Sequence, residues 1–302
     1  MAKFPFFDVN PKINAEQFAD ARKRSKDLIL GASDETLQEG LLWYPGVQEA
    51  TRKGSLDIGI SPAHGSGIVA AVSPNMDFDS NNINAFAEIA SMTPAERAMV
   101  RESHRQSESN RVINRALSTD FRTRGEEVPE NLLKPTGRIP EVQAMMKERA
   151  PSISVSSDTN VVKALNILEG ADPEEILPRS SSPKVNSFYR NIAGDTSVMT
   201  VDGRESDMTA NMMRPWQDPR GIGTASLKRG GTTRYEDHEE VMRSILPDLN
   251  KSSRIRSFTE GHGITLPGAQ AVKWLVGKQI ERTRPDGRVM KQGPPRRGQP
   301  YI

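Results

Sequence analysis

At 302 residues, with 35% hydrophobic and 26% charged side chains, the chain can build one large domain or two small ones and still carry long polar stretches. It has no cysteine, which excludes disulfides, thiolate zinc sites, cysteine nucleophiles and cysteine-held iron–sulfur clusters. Lys and Arg number 41 against 39 Asp and Glu, so attraction to phosphate must come from local patches, and an aromatic content of 5% argues against a broad base-stacking platform.

The N-terminus, MAKFPFFDVNPK, lacks a charged-then-apolar leader pattern, and no stretch approaches the length of a membrane span. These features predict a cytoplasmic protein without a membrane partner. Four scattered histidines (His64, His104, His238, His262) give no metal-ligand spacing, so neither metal nor cofactor is expected.

Helical signals dominate the chain. Phe18, Ala21, Leu28 and Leu30 among charges predict an amphipathic helix over Ala15–Leu30. A second helix is predicted from Ser33-Asp34 through Leu37, Leu41 and Leu42, with Pro45 kinking or ending it. Gly67–Val72 is short and apolar, a buried helical turn or a strand, and periodicity does not choose between them. Thr93-Pro94-Ala95-Glu96 is a capping box with proline at the first helical position. From about residue 102 to 150 the chain is polar, with loop chemistry at Gly125 and Pro135-Thr136-Gly137, and reads as a surface insertion.

Ser157 or Asp158 should cap a helix that ends at Gly170, and Asp172-Pro173 should start another. Further helices are predicted over Pro183–Ile192, Arg204–Met213, Tyr235–Leu246 and Gly268–Arg282. Between them lies a basic Gly/Thr-rich loop, Gly221–Arg234. Residues 1–282 therefore read as one helical domain. Residues 283–302, rich in Gly, Pro and basic side chains, read as a disordered tail.

Two segments resemble parts of one family. Ile68-Val69-Ala70-Ala71-Val72-Ser73-Pro74-Asn75-Met76-Asp77 is similar to the apolar helix and following turn of endonuclease III-like glycosylases. Leu177–Arg204 is similar to the family's hairpin, L-P-G-V-G-x-K-T, followed by a helix and V-D-T-H. Lys184 falls at the family's nucleophilic lysine and Asp202 at its catalytic aspartate, 18 residues apart as in the family. Arg179-Ser180-Ser181-Ser182 replaces the hairpin glycines, and Gly203-Arg204 follows Asp202 in place of threonine-histidine. The segments LLWYPGVQEA, GIVAAVSP and VNSFYRNIAGD also resemble bacteriophage proteins, some linked to DNA base modification.

The resemblance implies a mostly α, two-lobed helix-hairpin-helix fold with a central cleft, and DNA as the partner. Lys184 would attack the sugar as a neutral amine to form a Schiff base, and Asp202 would stabilise positive charge there and take a proton. The target base would leave the stack first, with Asn75 as wedge. Ser181, Ser182, Lys228 and Arg229 would contact phosphate, with Arg204 placed for a phosphate or pyrophosphate group. Simpler roles stand beside these: an N-cap for Asp202, a turn for Asn75, and first-turn helix acids for Glu205 and Asp207. Trp43, Tyr44, Phe188 and Tyr189 fit either a base pocket or the core. Three functions remain open: a DNA glycosylase with or without lyase activity; a phage hypermodification enzyme joining an amino acid or amine to an activated pyrimidine; or a non-catalytic DNA-binding protein on the same scaffold.

Overall fold

The computed structural model describes residues 15–74, 80–133, 139–149, 157–201, 205, 208–209 and 233–282. These residues are mostly α-helical, and no strand occurs among them. The chain divides into two units, one built from residues 1–49 and 179–302, the other from 50–178. Asn75, Asp202, Arg204, Asp207, Lys228 and Arg229 lie outside the described residues, as does the predicted tail.

The first unit contains α1 (Ala15–Leu30), the start of α2 (Asp34–Asp57), and, much later in the chain, α10 (Pro183–Ile192), α11 (Thr233–Lys251), α12 (Ser253–Phe258) and α13 (Leu266–Arg282). Its core gathers Ile29, Leu37, Met199, Val201, Met242, Ile245, Leu249, Ile255 and Val272, all buried. Met242, Ile245 and Leu249 recur at helical spacing, so α11 turns one face to α1 and α13. Each such aliphatic side chain stabilises the fold by roughly 1.5–3 kcal/mol through burial. Arg254 donates to the Leu30 and Ala32 carbonyls at 2.8 and 2.6 Å, satisfying acceptors that the end of α1 leaves open.

Ser33 starts α2 as expected, accepting the Thr36 amide at 3.1 Å. Pro45 does not end the helix, which continues to Asp57. Proline there removes one amide donor, but the local loss is outweighed where tertiary packing fixes the flanking turns. Gly40 shows how close that packing is, because an added Cβ would lie 2.6 Å from the Val272 Cα on α13. Gly40→Ala should cost about 3 kcal/mol of overpacking, only partly offset by about 1 kcal/mol of added helix propensity. Chemical denaturation should show the midpoint falling with an unchanged slope.

The second unit holds the end of α2, then α3 (Pro62–Val72), α4 (Ser80–Ser91), α5 (Pro94–Thr123), α6 (Glu130–Leu133), α7 (Pro140–Arg149), α8 (Asp158–Leu168) and α9 (Pro173–Ile176). The ambiguous Gly67–Val72 run is helical. It lies in α3, which is buried from Gly65 to Val72 and packs against α4, α8 and α9. A helix apolar all round is stable only when surrounded in this way.

The capping box forms as predicted, with Thr93 Oγ1 accepting the Glu96 amide and Glu96 accepting the Thr93 amide. The expected surface insertion is different in kind. Its first part is the outer half of α5, polar on most sides and laced by Arg105–Glu102, Arg111–Glu108 and Arg124–Asp120 pairs. Nor is it wholly superficial, since Val142 and Met146 of α7 are fully buried.

Arg149 ties α7 to the start of α5, donating to both Glu96 oxygens at 2.8 and 2.5 Å. That guanidinium and the Thr93 amide hold the Glu96 carboxyl down at about 2. The unfolded chain binds this proton from about pH 4.5 downward, so stability is lost as pH falls from there toward 2. Acid titration followed by circular dichroism should show Arg149→Met flattening that limb, at a cost near neutrality of about 1 kcal/mol.

Candidate functional site

The hairpin begins where α9 ends. The Leu177 amide closes α9 on the Pro173 carbonyl at 2.8 Å, a turn covers residues 179–181, and Pro183 opens α10 at its first position. After α10 the chain runs without helix or strand to Val201. The glycines that the resemblance calls for are not needed here. Outside glycine, only Glu260 among the described residues has a positive φ, so Arg179 to Ser182 make the turn without left-handed backbone.

Lys184 sits in the first turn of α10, half-buried, with no ion-pair partner among the described residues. Ser181 is exposed. Ser182 holds the N-cap position, but its hydroxyl makes no capping bond.

Arg179 is turned inward. Its guanidinium donates to Glu239 Oε2 at 2.9 Å and to Ser187 Oγ at 3.1 Å, and lies 5.5 Å from the Tyr235 ring centre. Arg179 thus anchors the turn before α10 to α11.

The segment after α10 has no strand partner among the described residues, so side chains take up its backbone groups. Asn191 donates to the Asp195 and Val198 carbonyls at 2.9 and 2.8 Å. Glu239 Oε1 accepts the Met199 amide at 3.2 Å. Tyr235 Oη donates to the Met199 carbonyl at 2.8 Å and accepts the Val201 amide at 2.9 Å. Arg243 donates to the Ser197 carbonyl. Thr200 donates to Asn191 Oδ1, and Tyr44 joins Thr200 to Gln270, each at 3.1 Å. Burial pushes the Tyr235 hydroxyl well above its ordinary range, which keeps it neutral and able to both donate and accept.

Tyr44 and Phe188 are buried and Trp43 half-buried, with Trp43 set edge-on to Tyr44 at 4.6 Å. Tyr189 and Trp274 are also buried.

Glu205 is helical and wholly buried, accepting from Lys273 Nζ at 2.6 Å. Lys273 also donates to Thr209 Oγ1 at 2.7 Å, and Arg24 donates to the Thr209 carbonyl at 2.8 Å. Burial lowers Lys273 from its ordinary value, while the Glu205 carboxylate opposes the shift. A Cβ added at Gly277 would lie 2.2 Å from Met208 Sδ, so Met208 is close-packed on α13.

Arg179, Tyr235, Glu239 and Lys273 escaped the sequence reading. A lysine inside the apolar run Ala271-Val272-Lys273-Trp274-Leu275 is a visible signal, and Tyr235 and Glu239 share a helix face at four-residue spacing. Glu205 carries no such signal. Among the described residues, no group of three or more His, Asp or Glu is gathered to hold a metal, and no helix is long and apolar enough to cross a membrane.

Residues 141–236, less than half of the chain, match a model described as a family of unknown function (DUF7178). The match includes α7 to α10, the turn before α10 and the segment after it, and ends at the start of α11. No curated protein and no solved structure matches the chain.

Proposed function

We propose that this chain is a phage-type, DNA-base-directed enzyme of the helix-hairpin-helix glycosylase superfamily. The observation that carries the reading is the turn–helix–segment order, with a half-buried Lys184, unpaired among the described residues, in the helix's first turn and the following segment fixed as far as Val201, next to Asp202. A lysine without a carboxylate partner is available to a substrate; most structural lysines are solvated or paired.

In this reading the target nucleotide is flipped out, with Asn75 filling the gap and Ser181, Ser182, Arg204, Lys228 and Arg229 on phosphates. The neutral Lys184 amine bonds to the sugar's anomeric carbon as the glycosidic bond breaks. The base leaves with the bonding pair and takes a proton from solvent. Asp202 receives the proton that the attached amine sheds, then returns it to the ring oxygen as the sugar opens and the nitrogen lone pair forms the C=N bond.

Sodium borohydride reduces such an iminium to a stable amine. Incubating the full chain with duplexes carrying modified or abasic nucleotides and borohydride should yield a covalent protein–DNA adduct. No adduct together with no free base released, across substrates that the protein binds, would leave only a DNA-binding scaffold.

A second reading, transfer of an amino acid or amine to an activated pyrimidine, is favoured by the hairpin. With Arg179 committed to Glu239, the turn need not serve the phosphate approach that the glycines permit. Nucleoside mass spectrometry separates the two, since transfer yields a heavier nucleoside and excision an abasic site.

A further inference from the structure

We propose that Tyr235 and Glu239 are positioning residues that hold the hairpin before Lys184 and the segment before Asp202 as one coupled unit. The inference deepens the enzymatic reading and rests on it for its functional consequence, but the coupling can be measured without any substrate.

The two oxygens of the Glu239 carboxylate serve different parts of the chain. Oε2 receives the Arg179 guanidinium from the hairpin, and Oε1 receives the Met199 amide from the segment after α10. The carboxylate is nearly buried, its side chain only 7% exposed, so removing either donor leaves a costly unsatisfied oxygen. Arg243, 3.6 Å away on the next turn of α11, adds a second positive charge without replacing either donor.

Tyr235, one turn earlier, repeats the arrangement with different chemistry. Its hydroxyl holds the Met199 carbonyl and the Val201 amide, while its ring carries the Arg179 guanidinium. Met199 therefore has both backbone groups caught by α11 side chains, and those same side chains hold Arg179. With no strand among the described residues to pair with residues 198–201, a shift of the hairpin has a direct route to Met199 and Val201 through two residues of one rigid helix. The Arg179 guanidinium donates to Ser187 and Glu239, and to neither Met199 nor Val201. Tyr235 and Glu239 are the side chains that touch both Arg179 and those two residues, beside a second route from Ser187 along α10 to Asn191, which holds Val198 and Thr200.

The test is hydrogen–deuterium exchange on the full chain, comparing wild type, Arg179→Met, Tyr235→Phe and the double variant. Tyr235→Phe keeps the ring under the guanidinium and deletes only the hydroxyl. Arg179→Met should raise exchange at Met199 and Val201 about tenfold, although it touches neither. Tyr235→Phe should loosen residues 177–184 as well as 199–201. The double variant should show less than the product of the single effects, because both remove one shared arrangement.

Protection of α13 amides, in the same unit as the substitutions, reports whether each variant still folds; should Tyr235→Phe fail there, Glu239→Gln takes its place as a size-matched loss of charge. Where wild type gives the borohydride adduct, Arg179→Met should lower the trapping rate at saturating DNA by roughly 10- to 100-fold, with affinity for the duplex unchanged. Single variants that each disturb only their own segment, with multiplicative effects in the double, would overturn the coupling. Coupled exchange with no adduct from wild type would instead retain the clamp and reject the enzymatic reading.

Discussion

Truncation of Lys273 to alanine is expected to lower the unfolding free energy by about 3–5 kcal/mol, because it strands the Glu205 carboxylate in the core. Both side chains are fully buried and meet at 2.6 Å, so neither has water to fall back on. Replacing both together, as Lys273→Met with Glu205→Leu, should recover most of the loss, since the desolvation cost disappears with the charges. Equilibrium denaturation of the two variants beside wild type measures this. An equal loss in single and double variants would mean that packing, not charge, is what Lys273 supplies.

The same pair gives a pH signature. Burial sets the folded Lys273 value below its ordinary 10.5, and in Glu205→Gln the opposing carboxylate is gone. Between the depressed folded value and 10.5 the unfolded chain binds the proton and the folded chain does not. The unfolding free energy of Glu205→Gln should therefore rise with pH across that interval. A flat profile would contradict the assignment of burial as the dominant influence on Lys273.

The second large effect falls on activity. Lys184→Ala and Lys184→Arg should both reduce borohydride trapping by about 1,000-fold or more, since neither side chain offers a primary amine to the sugar. Asp202→Asn should slow trapping by roughly 100- to 1,000-fold through loss of charge stabilisation. In contrast to Lys273, removing Lys184 leaves no partner stranded among the described residues, so stability should change by no more than about 0.5 kcal/mol. Trapping that survives in Lys184→Ala would move the nucleophile elsewhere or end the lyase proposal.

Several elements were legible in sequence to the residue. α1 spans Ala15–Leu30 and α10 spans Pro183–Ile192, as expected from periodicity and from proline at a first helical position. Thr93, Ser157 and Asp172 cap as their side chains suggest, and α8 gives way to a left-handed Gly170. α4 and α12 were not anticipated. α12 is six residues long, and a single turn capped by Ser252 leaves almost no periodic signal. Polarity was read correctly along α5 but not its helicity, which ion pairs three and four residues apart support.

The sequence by itself determined the helical class, the caps and the proline start of α10, because each depends on groups within about one turn of one another. Only the tertiary structure decided that Gly67–Val72 is a buried helix, that α2 continues past Pro45, and that Arg179 folds back onto Glu239. It also decided that Glu205 is a core ion-pair partner of Lys273, 68 residues away. A cap is satisfied by its own turn, whereas a buried charge is stable only if a distant segment delivers its counterpart.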